Sequence, residues 1–326
     1  MVTPLITIAV PVYNAANSIA VCLDSLINQT YQNIEIIVVN DGSTDDSIGV
    51  IQKYIEIDER IVLINQENLG VSQARNRVLE CAHGEWISFV DADDYVAADY
   101  IEQLIPQSDD VQMSLCGMIR LSYDGTGTKW DLYVKPKKHS LQVRFLLIDD
   151  IMTQINPYAL TGPVCKLFKM NIIKKYALRF PTDMNFGEDS VFVFSYLFYL
   201  NKIQVVEFWT YYYCSSTNSL TTIADTDAKL LATHRIYDIS LNICEKNNIK
   251  VPYVVQHHFL DNILQILRYE KRKFIRYKCY NEIKYSLGCW AKVVRKCMPF
   301  YFPLFAYMGM WREYDKFTKL IYNRDT

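Results

Sequence analysis

Trp86-Ile87-Ser88-Phe89-Val90 is apolar enough to be a buried strand, and it runs directly into Asp91-Ala92-Asp93-Asp94. Few folds deliver three carboxylates in four positions from the end of a buried strand. A parallel sheet does, because its functional groups gather beyond the carboxyl ends of its strands. Like charges this close repel unless solvent or a cation lies among them. Oxygen ligands at this spacing suit Mg2+ or Mn2+ better than zinc. Asp is also common at helix starts, so the same turn could instead cap a helix beginning near Ala97.

The chain ahead of this stretch repeats the pattern. Residues 5–12 form a β-branched run ending in Pro11-Val12-Tyr13-Asn14. A helix is expected over residues 18–28, with Ile19, Leu23, Leu26 and Ile27 on one face. Residues 34–40 are almost uniformly apolar, as a strand covered on both faces is. They end in Asp41-Gly42-Ser43-Thr44-Asp45, residue types that suit both a turn and a helix cap. A helix to about residue 57, a strand over 61–65, a loop over 66–70 and a helix over 71–81 follow, and another helix is expected near 98–105. Alternation of this kind indicates an α/β fold built from βαβ units on a mostly parallel sheet flanked by helices.

After Gln107 the rhythm changes. Residues 111–121 and 129–134 flank a Gly125-Thr126-Gly127 turn and read as a hairpin. Residues 141–151 read as a helix, 162–168 as a turn and short strand, and 172–176 as a short helix. Phe186-Gly187-Glu188-Asp189 opens an aromatic helix over 190–200, and one or two strands occupy 203–214. From Asp225 onward the pattern is helical. The expected organisation is one domain over residues 1–221, with halves 1–106 and 107–221, followed by a helical region over 222–326.

With 326 residues, half of them hydrophobic, the chain can bury a full core. Its nine cysteines are scattered without a Cys-x-x-Cys pair, which favours reduced thiols over a disulfide framework or a thiolate zinc site. Residues 1–12 lack a basic start and a cleavage site, and no apolar run approaches a transmembrane length. The expected location is therefore cytoplasmic. Residues 1–110 hold 18 acidic against 4 basic side chains, a net of −14 in a chain whose total is −2, which leaves +12 for the rest. A front half this acidic is a poor nucleic-acid surface. Residues 268–296 hold ten Lys/Arg against two Asp/Glu, interleaved with Tyr269, Phe274 and Trp290. A largely aromatic stretch to residue 311 follows, broken by Pro299 and Pro303. Residues 268–311 are thus expected to dock on an anionic membrane leaflet, the competing role being a helical lid with a solvated basic face.

No Gly-x-Gly-x-x-Gly follows the first strand and no Walker-type phosphate loop exists. Instead, Tyr13 and Asn14, Asp41, Asn68, and Asp91 with Asp93 stand at successive strand ends and should converge on one rim. Tyr13 could lie along a base, Asp41 could accept from a base N–H or ribose hydroxyl, and a cation at Asp91 and Asp93 could hold a diphosphate. Arg75 is one of the four cations of the first 110 residues, which fits a diphosphate partner. Glu188-Asp189, ahead of an apolar helix, is also a natural N-terminal pair for that helix.

In their order and spacing, Pro11-Val12-Tyr13-Asn14, Asp41-Gly42-Ser43-Thr44-Asp45, Asn68-Leu69-Gly70 with Ala74-Arg75-Asn76, Asp91-Ala92-Asp93-Asp94 and Glu188-Asp189 resemble the motifs of the family-two, inverting glycosyltransferases. The resemblance spans residues 4–215. It implies a GT-A type fold with a nucleotide-binding half joined to an acceptor-binding half, and a nucleotide-sugar donor, most often a UDP-sugar, used with Mn2+ or Mg2+. By its pattern Pro11 and Tyr13, beside Asn14, line the uracil pocket and Asp41 binds the base. Asn68 and Arg75 contact the nucleotide or its diphosphate. Asp93 ligates the metal, and Asp91, next to Ala92, serves ribose or metal. Asp189 is the implied base and Glu188 its companion. Lys166, in Cys165-Lys166-Leu167-Phe168, matches a less diagnostic family position. The implied acceptor is a glycan or lipid-linked glycan, in surface or capsular polysaccharide synthesis. A nucleotidyltransferase would need a basic triphosphate loop after the first strand, and residues 13–19 hold no Lys or Arg. A non-catalytic glycan-binding scaffold would have no reason to retain Asp41, Arg75, Asp93 and Asp189 together.

Overall fold

The computed structural model describes residues 3–121, 127–129, 143–214 and 226–250. β1 (Ile6–Val12) and β2 (Ile34–Asp41) are buried along nearly their whole length, as their unbroken apolar runs require. α1 (Ile19–Ile27) turns Ile19, Cys22, Leu23 and Leu26 into the core. α2 (Ser47–Ile55), β3 (Ile61–Gln66), α3 (Val71–Cys81) and β4 (Trp86–Phe89) complete the first half. Its four strands are all parallel, in the order β3-β2-β1-β4. The chain therefore winds outward from β1 to β3 and returns to lay β4 on the other side of β1. A reversal of this kind opens a crevice beyond the carboxyl ends of the two central strands.

The second half extends the same sheet through β5 (Tyr95–Val96), β6 (Met113–Leu121), β7 (Gly127–Lys129), β8 (Val143–Leu147), β9 (Lys166–Lys169) and β10 (Lys202–Cys214). Its helices are α4 (Tyr100–Leu104), α5 (Ile148–Gln154), α6 (Met170–Lys175) and α7 (Glu188–Leu197), with a short 3-10 turn at Pro157–Leu160. The order continues β4-β9-β6-β10-β5, with β7 on β6 and β8 on β10. Among the described residues, β6 and β10 are the one parallel strand pair in this half, so the sheet is mixed rather than parallel throughout.

Residues 143–147 differ from the helix expected over 141–151. They form β8, antiparallel to residues 202–206 of β10, and the helix starts only at Ile148. Pairing with a distant strand here overrides a local run that reads as helical. The hairpin is present where residues 119–121 pair with 127–129; its expected continuation over 130–134 lies outside the described residues.

Phe89, Phe168, Phe180 and Phe192 pack into one aromatic cluster, with Phe180 and Phe192 stacked at 4.0 Å and Phe89 edge-on to the other three. This cluster joins β4 to β9 and α7, and so fixes the two halves around the crevice.

The chain divides into two compact units, Met1–Ile223 and Ala224–Thr326. In the second, the described residues form α8 (Thr226–Lys246). The basic and aromatic stretch 268–311 lies outside the described residues. Among those described, no helix is long and apolar enough to cross a membrane, and the six cysteines are free thiols.

Candidate active site

One cluster forms where β1 and β2 end. Tyr13 is 52 % exposed at the rim, whereas Pro11, inside β1, is buried. Asn14 takes a left-handed backbone conformation with φ 49°, which Asn tolerates better than most residues. Its N–H donates to Ser43 Oγ (3.0 Å) and its Oδ1 accepts from Thr44 N–H (2.8 Å), fastening the turn after β2 to the end of β1. Asp45 accepts from the N–H of Ser47, the first residue of α2, and from Ala16 N–H. Asp41 is buried. Its Oδ1 accepts from Gln66 Nε2 (2.7 Å) and Leu69 N–H (2.9 Å), and its Oδ2 from Gly70 N–H (2.9 Å). A carboxylate offers about four acceptor directions. Asp41 spends three of them holding the loop that carries the exposed Asn68.

Gly42 makes that approach possible. Its φ is +69°, and a Cβ there would lie 2.7 Å from Asn68 N. Gly42→Ala is therefore expected to destabilise the protein by about 1–3 kcal/mol, read as a lowered urea midpoint.

A second cluster spans the crevice. Arg75, on α3, is only 3 % exposed. Its Nη2 donates to Asp91 Oδ1 (2.9 Å) and its Nη1 to Asp189 Oδ1 (2.6 Å), with Glu188 Oε1 at 3.9 Å. The guanidinium sits 5.4 Å from the centroid of the Phe180 ring. Asn76, the next residue, clamps the backbone of Phe180 on both sides: its Nδ2 donates to Phe180 O (2.8 Å) and its Oδ1 accepts from Phe180 N–H (2.9 Å). Gly187 enters α7 with φ 78°, placing Glu188 and Asp189 in the first turn, where a helix N-terminus favours negative charge. Asp189 is pushed up to about 7, first by burial, while Arg75 opposes and Glu188 and Asp91 add to the rise.

The acidic turn is locked from behind. Tyr211 is fully buried in β10, and its hydroxyl donates to Asp94 Oδ2 (2.6 Å) while accepting from Asp91 N–H (3.3 Å). Asp94 Oδ1 accepts from Cys214 N–H (2.8 Å). Burial first, then the charge of Asp91, pushes Asp94 up to about 8. Asp94 is thus a buried tie to β10 and not a cap for the helix that follows it. Asp93, by contrast, is exposed. Among the described residues its carboxylate has no side-chain partner; enclosure by the crevice and then the charge of Asp91 raise its pKa.

No group of three or more ligating side chains occurs among the described residues. The pair Asp93 and Asp91 nonetheless fits Mg2+ or Mn2+, which is commonly held by one or two carboxylates with the remaining positions left to substrate phosphates and water. Lys166 is buried. Its Nζ donates to Gly162 O (2.7 Å) and Val164 O (3.1 Å), so it shapes the loop before β9. Burial lowers its pKa to about 8, against the nearby Cys165, Cys116 and Asp189. Ser190 Oγ donates to Thr161 O (2.7 Å), seating α7 on that loop.

The structure therefore gathers Arg75, Asp91, Glu188 and Asp189 into direct contact, with Asp93 beside them and Ala92 buried in the same turn. Tyr13, Asn14, Asp41 and Asn68 form the other cluster, and among the described residues no hydrogen bond joins the two. Reading the sequence passed over Asn76, Phe180, Tyr211 and Asp94 as positioning residues. Asn76 lay within a quoted motif and Tyr211 within a tyrosine run, but neither pattern names a partner.

A mixed sheet flanked by helices, with a crevice at its strand-order reversal, is a fold of the GT-A type. Residues 7–176, more than half of the chain, match the model of glycosyl transferase family 2, and the chain belongs to that family. It is 33 % identical over 222 residues to EpsH of Bacillus subtilis (strain 168), a match covering 65 % of this chain and 61 % of EpsH. It is 32 % identical over 212 residues to the poly(ribitol-phosphate) beta-glucosyltransferase of Bacillus spizizenii (strain ATCC 23059 / NRRL B-14472 / W23), covering 64 % of this chain and 32 % of that protein. The chain thus spans less than two thirds of the length of either curated relative. Among solved structures, S. aureus TarS 1–349 in complex with UDP-GlcNAc superimposes with a TM-score of 0.67 at 20 % identity, covering 96 % of this chain and 89 % of that one.

Proposed function

We propose that this chain transfers a sugar from a nucleoside-diphosphate donor to a hydroxyl of a glycan acceptor, inverting the anomeric centre. The observation that carries this reading is the meeting, on Arg75, of the acidic turn after β4 with the carboxylates that open α7. The two chemical demands of the reaction then fall on opposite walls of the crevice. Mn2+ or Mg2+ held by Asp93 and Asp91 would supply charge neutralisation for the departing diphosphate. Tyr13 offers its exposed face to the base, Asp41 its remaining acceptor direction to a base N–H, and Asn68 a contact to the nucleotide. Asp189, with a pKa near 7, takes the proton of the attacking hydroxyl, because a base tuned close to the working pH is both deprotonated and strong enough to act. Attack from the wall opposite the leaving group inverts the configuration in a single displacement.

A UDP-sugar is the favoured donor, supported by the UDP-GlcNAc bound to TarS and by the motifs at Tyr13 and Asp41. Surface or capsular polysaccharide synthesis is the favoured setting, since a relative is named for glucosylating poly(ribitol-phosphate). On this reading residues 1–106 bind the nucleotide, 107–221 the acceptor, and 222–326 are appended. The basic stretch 268–311 would hold the protein at the inner face of the plasma membrane, near a lipid-linked acceptor. A thermal-shift panel of nucleotide sugars with and without Mn2+ tests the proposal. A UDP-sugar should raise the melting temperature only when Mn2+ is present, and no shift from any donor would overturn it.

A further inference from the structure

We propose that Arg75 is a positioning residue: it holds Asp189 in place against the acidic turn, and it does not bind the donor's diphosphate. This role presupposes the transfer reaction above, but the geometry that carries it is independent of any ligand. A buried guanidinium must be paired, and this one gives an N–H from each terminal nitrogen to a different wall of the crevice, leaving its Nε without a partner among the described residues. The planar fork of arginine suits such a bridge, since its donors diverge at fixed angles. The group is also held from below, because Phe180 lies beneath the guanidinium and Asn76 fixes the backbone of Phe180. Swinging Arg75 toward a phosphate would break two ion pairs and leave Asp91, Glu188 and Asp189 facing one another unneutralised. The charged groups around Asp189 are Arg75 from α3, Glu188 from its own helix, Asp91 from the turn after β4 and Lys166 from β9. Of these cations, Arg75 is the one in contact with its carboxylate.

Lysine and methionine at this position separate the two roles. Lysine keeps a point charge, which serves a phosphate nearly as well as arginine does, but it cannot bridge two carboxylates. The brace predicts that neither Arg75→Lys nor Arg75→Met loses affinity for UDP with Mn2+, since no donor contact is removed and Asp91 is freed toward the cation. It predicts that kcat falls about 100-fold in Arg75→Met and less in Arg75→Lys, as misplacement of a reacting group does. Carboxyl-carbon NMR on the ligand-free protein supplies a readout that needs no donor. The Asp189 titration should move up by about one to three pH units in Arg75→Met, the size expected for losing an adjacent opposite charge. A tenfold or greater loss of UDP affinity in either variant, a wild-type kcat in Arg75→Lys, or an unmoved Asp189 titration would each overturn the assignment. A wild-type protein inert toward every nucleotide sugar would overturn the transferase reading instead, while the NMR titration still decides whether Arg75 braces Asp189.

Discussion

Asp189→Asn is expected to lower the transfer rate by about 100- to 10,000-fold, the range seen when a general base is removed, while leaving UDP binding with Mn2+ nearly intact. The separation follows from placement. Asp189 opens α7 on the wall opposite Asp91 and Asp93, and among the described residues the ion pair that links it to that wall runs through Arg75. The asparagine variant should also remain folded, because Arg75 keeps its 2.9 Å partner Asp91. The pH dependence has a definite sign. Burial raises the pKa of Asp189 to about 7, so the folded protein holds this proton well above the ordinary carboxylate range. A base acts only when deprotonated, so the wild-type rate should climb with pH through about 7 and then level. The residual rate of the variant should lose that limb. Near-normal turnover in Asp189→Asn would move the base to Glu188, whose Oε1 lies 3.9 Å from Arg75 Nη1. Steady-state kinetics across pH, with UDP affinity by calorimetry, measures both halves of the expectation.

What was legible in the sequence was what local pattern determines. In the parallel first half each strand is a continuous apolar run and ends at a polar turn, so Tyr13, Asp41 and Asp91 could be assigned to one rim without coordinates. The second half is built on pairings between distant segments, and there local pattern failed. Residues 143–147 look helical in isolation and become a strand only because residues 202–206 are available to pair with them. Side-chain roles were hidden for the same reason. Asp94 reads as a cap for the helix beside it, yet its partner Tyr211 lies 117 residues further on. Nothing local to Arg75 shows that it is buried between carboxylates 16 and 114 residues away. Composition and spacing list the charged groups at a site; which of them neutralise each other is decided by the fold.

Asp93→Asn is expected to reduce turnover by about three orders of magnitude, several kcal/mol of transition-state stabilisation, and to weaken donor binding only where Mn2+ is present. EDTA should do the same to the wild-type protein, and added Mn2+ should restore it. A stability measurement distinguishes this from ordinary damage to the turn. Within the acidic turn Asp93 is the exposed carboxylate without a side-chain partner among the described residues, and both partial burial and the charge of Asp91 disfavour its ionised form. Removing that charge relieves a repulsion that, among the described residues, no side chain and only a local backbone hydrogen bond offsets. The metal-free variant should therefore melt at a higher temperature than the metal-free wild type, while losing the Mn2+-dependent shift. Asp94 makes the contrast, because Tyr211 and the Cys214 N–H both bond to it. Asp94→Asn would set an amide N–H against one of these donors and should lower the melting temperature with or without metal. If Asp93→Asn instead destabilises the metal-free protein, its carboxylate holds the fold, and the case for a cation at Asp91 and Asp93 fails.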